Sequence, residues 1–224
     1  MSKHRAKNKQ TPDLSTDLFL TTALQLAEEA GGIQQVSLRK LGKALNVDPT
    51  AVYRYFPNKE ALVTAMVERI MHTCLPDDEQ MEGDWRVRLT ALAQRAHNVF
   101  STYPALTIHL PSSPYIRTPA GDRLIEIGYQ ALRDAGLSDE NVILFHELLY
   151  TLMLGVGQIE AQFGEDLEDE RKATREHVAT LSAIDFPNLH RLVAIMVPDN
   201  DVVFQFVLEL YLNAIESYTS GSPG

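Results

Sequence analysis

Val-Ser-Leu-Arg-Lys-Leu-Gly-Lys-Ala-Leu-Asn-Val-Asp-Pro-Thr-Ala-Val-Tyr-Arg-Tyr-Phe-Pro-Asn-Lys-Glu-Ala-Leu, residues 36–62, is the stretch that decides the fold. It reads as two short helices around a tight turn, followed by the capped start of a longer third. Ser37 is placed to cap the first, although Lys40 stands where a full capping box would carry Glu. Leu38, Leu41 and Leu45 recur at helical spacing and form its inward face. Asn46 and Val47 make the turn. Asp48 can accept the free amides of the next helix, and Pro49 suits its first position because a missing N–H costs nothing there. That helix is short, Pro49 to about Tyr55, with Val52 and Phe56 inward and Pro57 to end it. Asn58 then caps a helix running to about Cys74. Gly42 allows the first two helices to cross closely, at a cost of up to ~1 kcal/mol in helix propensity.

Upstream, a helix is expected from Ser15, with Leu18, Phe19, Thr22, Ala23, Leu26 and Ala27 on one stripe and Gly31-Gly32 as a left-handed stop. Residues 1–13, with Lys3, Arg5, Lys7 and Lys9, are expected to be a disordered basic arm. Downstream, capping and periodicity predict helices over about 84–102, 119–135, 138–163 and 199–218, with a Pro-rich interruption at 104–119. The charged run 165–176 is expected to be an exposed helix start or a mobile loop. The chain is therefore expected to be all-α. Residues 14–60 would be a helix-turn-helix head of three helices, 61–218 a helical ligand-binding and dimerisation body, and 219–224 a disordered tail.

Bulk composition narrows the function classes. The chain has 224 residues and a formal charge of −10, which argues against indiscriminate coating of nucleic acid. The distribution is uneven: residues 1–60 balance to +3 and residues 61–224 to −13, and Lys172 is the one lysine beyond residue 60. One end of the molecule thus suits phosphate and the other does not. The lone Cys74 cannot pair within the chain, and with no secretory signal at the N-terminus a cytoplasmic location is expected. Val142 to Ile159 is apolar enough to tempt a membrane reading. His146 and Glu147 within it, and Gly155 and Gly157, favour a helix buried on most sides, in a core and a dimer seam, with no membrane partner.

A major groove admits one α-helix, and side chains near that helix's start meet the base edges. The short helix after the turn presents Thr50, Ala51, Tyr53 and Arg54. Hydroxyls there can reach phosphate, the methyls of Thr50 and Ala51 can meet a thymine methyl, and Arg54 can bond guanine or hold phosphate. Ser37 and Arg39 open the preceding helix, whose N-terminal amides suit phosphate, and Asn58-Lys59 offers a second such site. An ordinary helical hairpin with solvated Arg and Lys remains the alternative on spacing alone.

The string Ser37 to Leu62, above all Tyr53-Arg54-Tyr55-Phe56 with Asn58-Lys59-Glu60 and Leu62, resembles the N-terminal domain of TetR-family transcriptional regulators. The resemblance implies an all-α homodimer in which each subunit offers one recognition helix to half of a palindromic operator. It also implies a body that binds a small-molecule effector, which releases the DNA. By position it implies DNA contacts from Ser37, Arg39, Thr50, Ala51, Tyr53, Tyr55 and Lys59, with Arg54 added from the reading above. The implied dimer would use the helices near 138–163 and 199–218. Asp48-Pro49 departs from the small residues commoner there.

In the body, Trp85 with Leu89, Thr107-Ile108-His109-Leu110 and Leu154-Gly155 resemble the tetracycline repressor subgroup. There, a histidine placed like His109 binds the magnesium of the drug complex. Leu75, Leu92 and Ala96 stand where that subgroup holds the drug through polar groups, so tetracycline itself is not expected. Independently, a Pro-broken segment between helices makes a gap of the type that helical bundles use for ligands. His109, Ser112, His146 and Glu160 are its candidate polar groups, with Trp85, Leu92 and Ala96 as candidate walls. No metal site and no cofactor are expected. His146-Glu147 lacks the second metal-binding histidine, and Gly155-Val156-Gly157 lacks both the third glycine and a preceding strand, so an enzyme is not expected. An activator, or a regulator of the same fold without an effector, remains the alternative to a repressor.

Overall fold

A computed structural model describes residues 14–77, 81–103, 117–163 and 167–220, with the side chains of 160–163 outside the description. The expected basic arm, His109 and Ser112 lie outside the described residues, as does the Glu160 side chain.

Four helices build the N-terminal part: α1 (Thr16–Glu29), α2 (Leu38–Ala44), α3 (Pro49–Tyr55) and α4 (Lys59–Cys74). Each begins on a short polar side chain that accepts a backbone N–H: Ser15 from Leu18, Ser37 from Lys40, Asp48 from Thr50 and Asn58 from Ala61. These caps satisfy donors that a helix start would leave open. Gly31 takes φ +77°, and the Gly32 N–H reaches back 2.7 Å to the Ala27 carbonyl, which ends α1. Asn46, at φ 54°, supplies the left-handed residue of the α2–α3 turn. A Cβ at Gly42 would stand 3.3 Å from Val52 Cγ2 and 3.4 Å from the Val47 carbonyl oxygen, so the two helices cross as closely as expected. Phe19, Leu41, Val52, Leu62 and Met66 are fully buried beneath them.

The body consists of α5 (Trp85–Thr102), α6 (Pro119–Asp134), α7 (Asp139–Phe163), α8 (Leu167–Ala179), α9 (Pro187–Leu192) and α10 (Asn200–Ser220). No strand occurs among the described residues. The inner layer is α4, α5, α6 and α7 packed on one another, with α10 lying against α5 and α7. Leu89, Leu132, Phe204 and Ile215 are fully buried there. Arg88 ties α5 to Asp134 of α6, and Arg86 reaches Glu209 (2.7 Å) and Glu216 (2.9 Å) on α10.

Burial of α7 on most sides would take the expected dimer seam as well as the core: within one chain Val142, Leu149, Met153 and Val156 turn inward, but Leu144 is 65% exposed, with Ile143, Leu148 and Ile159 also open. Its apolar residues run all round, and one chain covers one side only. The C-terminal helix does not stop at Tyr218 but continues through Ser220, where the Thr219 hydroxyl donates to the Ile215 carbonyl. Between 176 and 199, where periodicity predicts no element, α9 and a 3-10 turn (Val193–Ile195) fold back on α8. Pro187 at the first helical position was the signal for α9. Residues 167–176 of the charged run are helical, and Arg171 of α8 bonds Asp199 (2.6 Å) and the Val197 carbonyl (3.0 Å).

Candidate DNA-reading head and effector pocket

On α3, Thr50 and Arg54 lie opposite the buried Val52 by helical spacing, with Tyr53 on one flank and Ala51 and Tyr55 on the other. Tyr53 is 53% exposed, and Arg54 and Arg39 are also exposed. Neither arginine makes an ion pair with a described residue. The Arg54 guanidinium and the Tyr53 side chain thus stand exposed on the outer face of a helix whose inner face is anchored by Val52.

Four of the expected contact residues are also held within the head. The Thr50 hydroxyl donates to Asp48 Oδ1 at 2.6 Å, and the Thr50 N–H reaches the same oxygen at 2.8 Å. These two bonds, the hydroxyl's first, hold the Asp48 carboxyl below the usual carboxylate range. The Tyr55 hydroxyl donates to the Leu14 carbonyl (2.8 Å), and its ring lies 4.7 Å from that of Phe19. Lys59 Nζ donates to the Gln34 carbonyl at 2.6 Å, fixing its ammonium across the turn after α1. Ser37 Oγ is occupied by the Lys40 N–H at 3.2 Å.

The pocket lies between the four inner helices and has a volume of about 140 Å³. Met71 and Cys74 come from α4, Leu92, Ala93, Ala96 and Phe100 from α5. Gly121, Leu124, Ile125 and Gly128 come from α6, and His146, Leu149, Tyr150 and Met153 from α7. Of the sequence-derived candidates, Leu92, Ala96 and His146 meet here. Trp85 does not: it packs, partly buried, against the core at the start of α5. Met71 and Cys74 were missed because their spacing on α4 is that of ordinary core residues. Gly121 and Gly128, two turns apart on one helix face, were a readable sign of a cavity wall.

The lining is almost wholly apolar. Burial lowers the pKa of the His146 imidazole, favouring its neutral form, and raises that of the Tyr150 phenol, with the Glu147 carboxylate adding to the latter. Burial pushes the Cys74 thiol up to about 12, so it is not a thiolate nucleophile near neutral pH. Another histidine has a packing role: His97 stacks on Phe204 at 4.0 Å, with Nε2 2.8 Å from Asp201 Oδ1, joining α5 to α10. No group of three or more metal-ligating side chains occurs among the described residues.

One contact ties α4, which starts against the head, to the pocket wall. Glu68 of α4 accepts the Ala120 N–H at 3.0 Å, one residue from the pocket-lining Gly121. The bond sits at the start of α6, where backbone N–H groups lack helical partners and negative charge is favoured.

Two family models match the chain. "Bacterial regulatory proteins, tetR family" covers residues 19–66 and "Tetracyclin repressor-like, C-terminal domain" covers 75–218. The HTH-type transcriptional repressor DrrR1 of Streptomyces coeruleorubidus is 26% identical over 132 residues, 59% of this chain and 48% of that protein. The chain spans less than half the length of the first curated relatives it matches. Among solved structures, ActR of Streptomyces coelicolor in complex with actinorhodin is similar at TM-score 0.71 and 22% identity, covering 94% of this chain and 100% of that one. A TetR regulator of the same organism is similar at TM-score 0.74 and 18% identity, covering 92% and 99%. At these identities the structural likeness concerns the fold.

Proposed function

The chain belongs to the TetR family of bacterial transcriptional regulators, and from that premise we propose that it is a cytoplasmic repressor released from a palindromic operator by a small molecule. The observation that carries this reading is the double role of α4. Its first turn is docked by Lys59 on the head, while Met71 and Cys74 near its end form part of the pocket wall. A ligand that displaces that wall moves the element on which the head rides. In the ligand-free dimer the two α3 helices would stand about 34–36 Å apart, one turn of DNA. Effector binding would change that spacing, an effect that needs a few kcal/mol of differential affinity between two states. The Glu68–Ala120 bond offers a route for that movement between α4 and α6.

The test is binding of the purified protein to DNA flanking its own gene, at two salt concentrations, against an unrelated duplex. Selective binding that weakens steeply with salt is expected. Lys59→Ala and Tyr53→Phe should weaken binding on every sequence, with Lys59→Ala lowering the salt slope by about one. A loss confined to one base position would contradict these phosphate roles. Arg54→Ala should relax preference at one position if the guanidinium reads a base, and weaken all DNA equally if it holds backbone.

Glu68→Ala tests the coupling. Operator affinity of the ligand-free dimer should stay within about threefold, because Glu68 is remote from α3. The ligand-induced loss of affinity, of the order of 5–150-fold for typical coupling, should fall towards one. Unchanged release would assign the coupling to the apolar α4–α6 contact.

A further inference from the structure

The pocket's electrostatics identify the chemical class of molecule it takes, an inference that rests on reading this body as effector-binding. None of its described lining residues is Lys, Arg, Asp or Glu. Residues 104–116 contain none either, and Arg117, just before α6, is exposed. An anion would therefore be desolvated among leucine, methionine and phenylalanine with no described cation to pair it. A cation would find no carboxylate in the lining itself, Glu147 standing outside it 3.9 Å from His146 Nδ1. Both are costlier to bury than a neutral molecule.

His146 and the Tyr150 phenol bring polar groups to this apolar wall, and His146 carries the acceptor. Its Nδ1 is buried and has no hydrogen-bond partner among the described residues, and neither has the buried Glu147 Oε1, 3.9 Å away. A neutral imidazole carries one donor and one acceptor nitrogen. With its proton on Nδ1, on the side of Glu147 Oε1, Nε2 is left as an acceptor. That edge of the ring borders Gly128: a Cβ there would stand 3.4 Å from His146 Cδ2 and 3.9 Å from Nε2. The missing side chain leaves space beside the imidazole within the pocket wall. The Tyr129 ring meets the imidazole edge-on at 4.8 Å and helps to fix its plane.

We propose that the pocket takes an uncharged, mainly apolar molecule bearing a hydroxyl or N–H, which donates to His146 Nε2 beside Gly128. His146 then orients the ligand, and the surrounding apolar side chains supply most of the affinity.

Calorimetric titration of the full-length protein at neutral pH with four matched probes tests this: 1-naphthol, 1-methoxynaphthalene, 1-naphthoate and (1-naphthylmethyl)ammonium. The phenol should bind about tenfold more tightly than its methyl ether, the worth of one buried hydrogen bond. The two ions should bind at least about a hundredfold more weakly than the phenol. His146→Phe should abolish the phenol's advantage while the ether still binds, and His146→Gln, which keeps an acceptor, should restore part of it. Gly128→Leu should block phenol and ether alike. An ion that binds as well as the phenol, or a phenol advantage that survives in His146→Phe, overturns the proposal and leaves the effector pocket standing. Failure of all four probes to bind the wild-type chain overturns both.

Discussion

Phe206→Asp is expected to convert the protein from dimer to monomer at micromolar concentration and to lower affinity for a two-half-site operator by about 10²–10⁴-fold. TetR-family regulators form dimers, and the faces proposed here for that contact are the open sides of α7 and α10. Val202, Phe206 and Leu210 recur every four residues along α10, at 59%, 64% and 53% exposure, and Leu144 and Leu148 are exposed on α7, the helix α10 packs against. The polar side of α10 is already occupied within the chain, because Arg86 bonds Glu209, Asn213 and Glu216. Two such helix pairs, one from each subunit, would close a four-helix bundle. In a two-fold interface each substitution occurs twice, so two carboxylates would be buried without partners. Sedimentation velocity reads the result. A Phe206→Asp chain that still sediments as a dimer would move the interface elsewhere, with the segment around Ile184 and Ile195 (91% and 74% exposed) as the next surface to test.

The head was legible because its determinants are local. Ser15, Ser37, Asp48 and Asn58 each cap the helix that follows them, and Pro49 and Gly42 have meanings that depend on immediate neighbours. The pocket was only partly legible, since its walls come from four helices and each contributes residues indistinguishable from core. Leu92 and Ala96 came from family position and His146 from its polarity, but nothing in the α4 sequence marks Met71 and Cys74 as cavity rather than packing. On α7 the division between core face and open face is illegible for the same reason. Leu144 and Leu149 have identical chemistry, and only the fold decides that one faces out and the other in. Thr50, Tyr55 and Lys59 were read as groups free for DNA, whereas each also holds the head together. That internal bonding limits where the groups can point, which favours a preformed contact surface over one that assembles on the operator.

Phe19→Ala carries the largest expected stability effect in the head. The ring is fully buried, 4.7 Å from Tyr55 and edge-on to Phe56 at 6.2 Å, so one side chain of α1 anchors both ends of the recognition unit's exit. Truncating a buried Phe costs about 3–5 kcal/mol, and a small unit of three short helices has little other core with which to absorb the loss. Operator binding should therefore fall in step with the folded fraction of the head. The body should keep its helical signal, because Leu89, Leu132, Phe204 and Ile215 are buried on α5, α6 and α10, although they share one continuous apolar cluster with Phe19. Hydrogen exchange separates the two: amides of α1–α3 should lose protection while those of α5 and α6 keep it. A uniform loss through both would mean that α4 binds head and body into one cooperative unit. In that case ligand binding in the body would stabilise the head, and release would have to proceed by rotation of an intact head and not by its loosening. Equal protection in Phe19→Ala and the native chain would instead remove Phe19 as the anchor of α3.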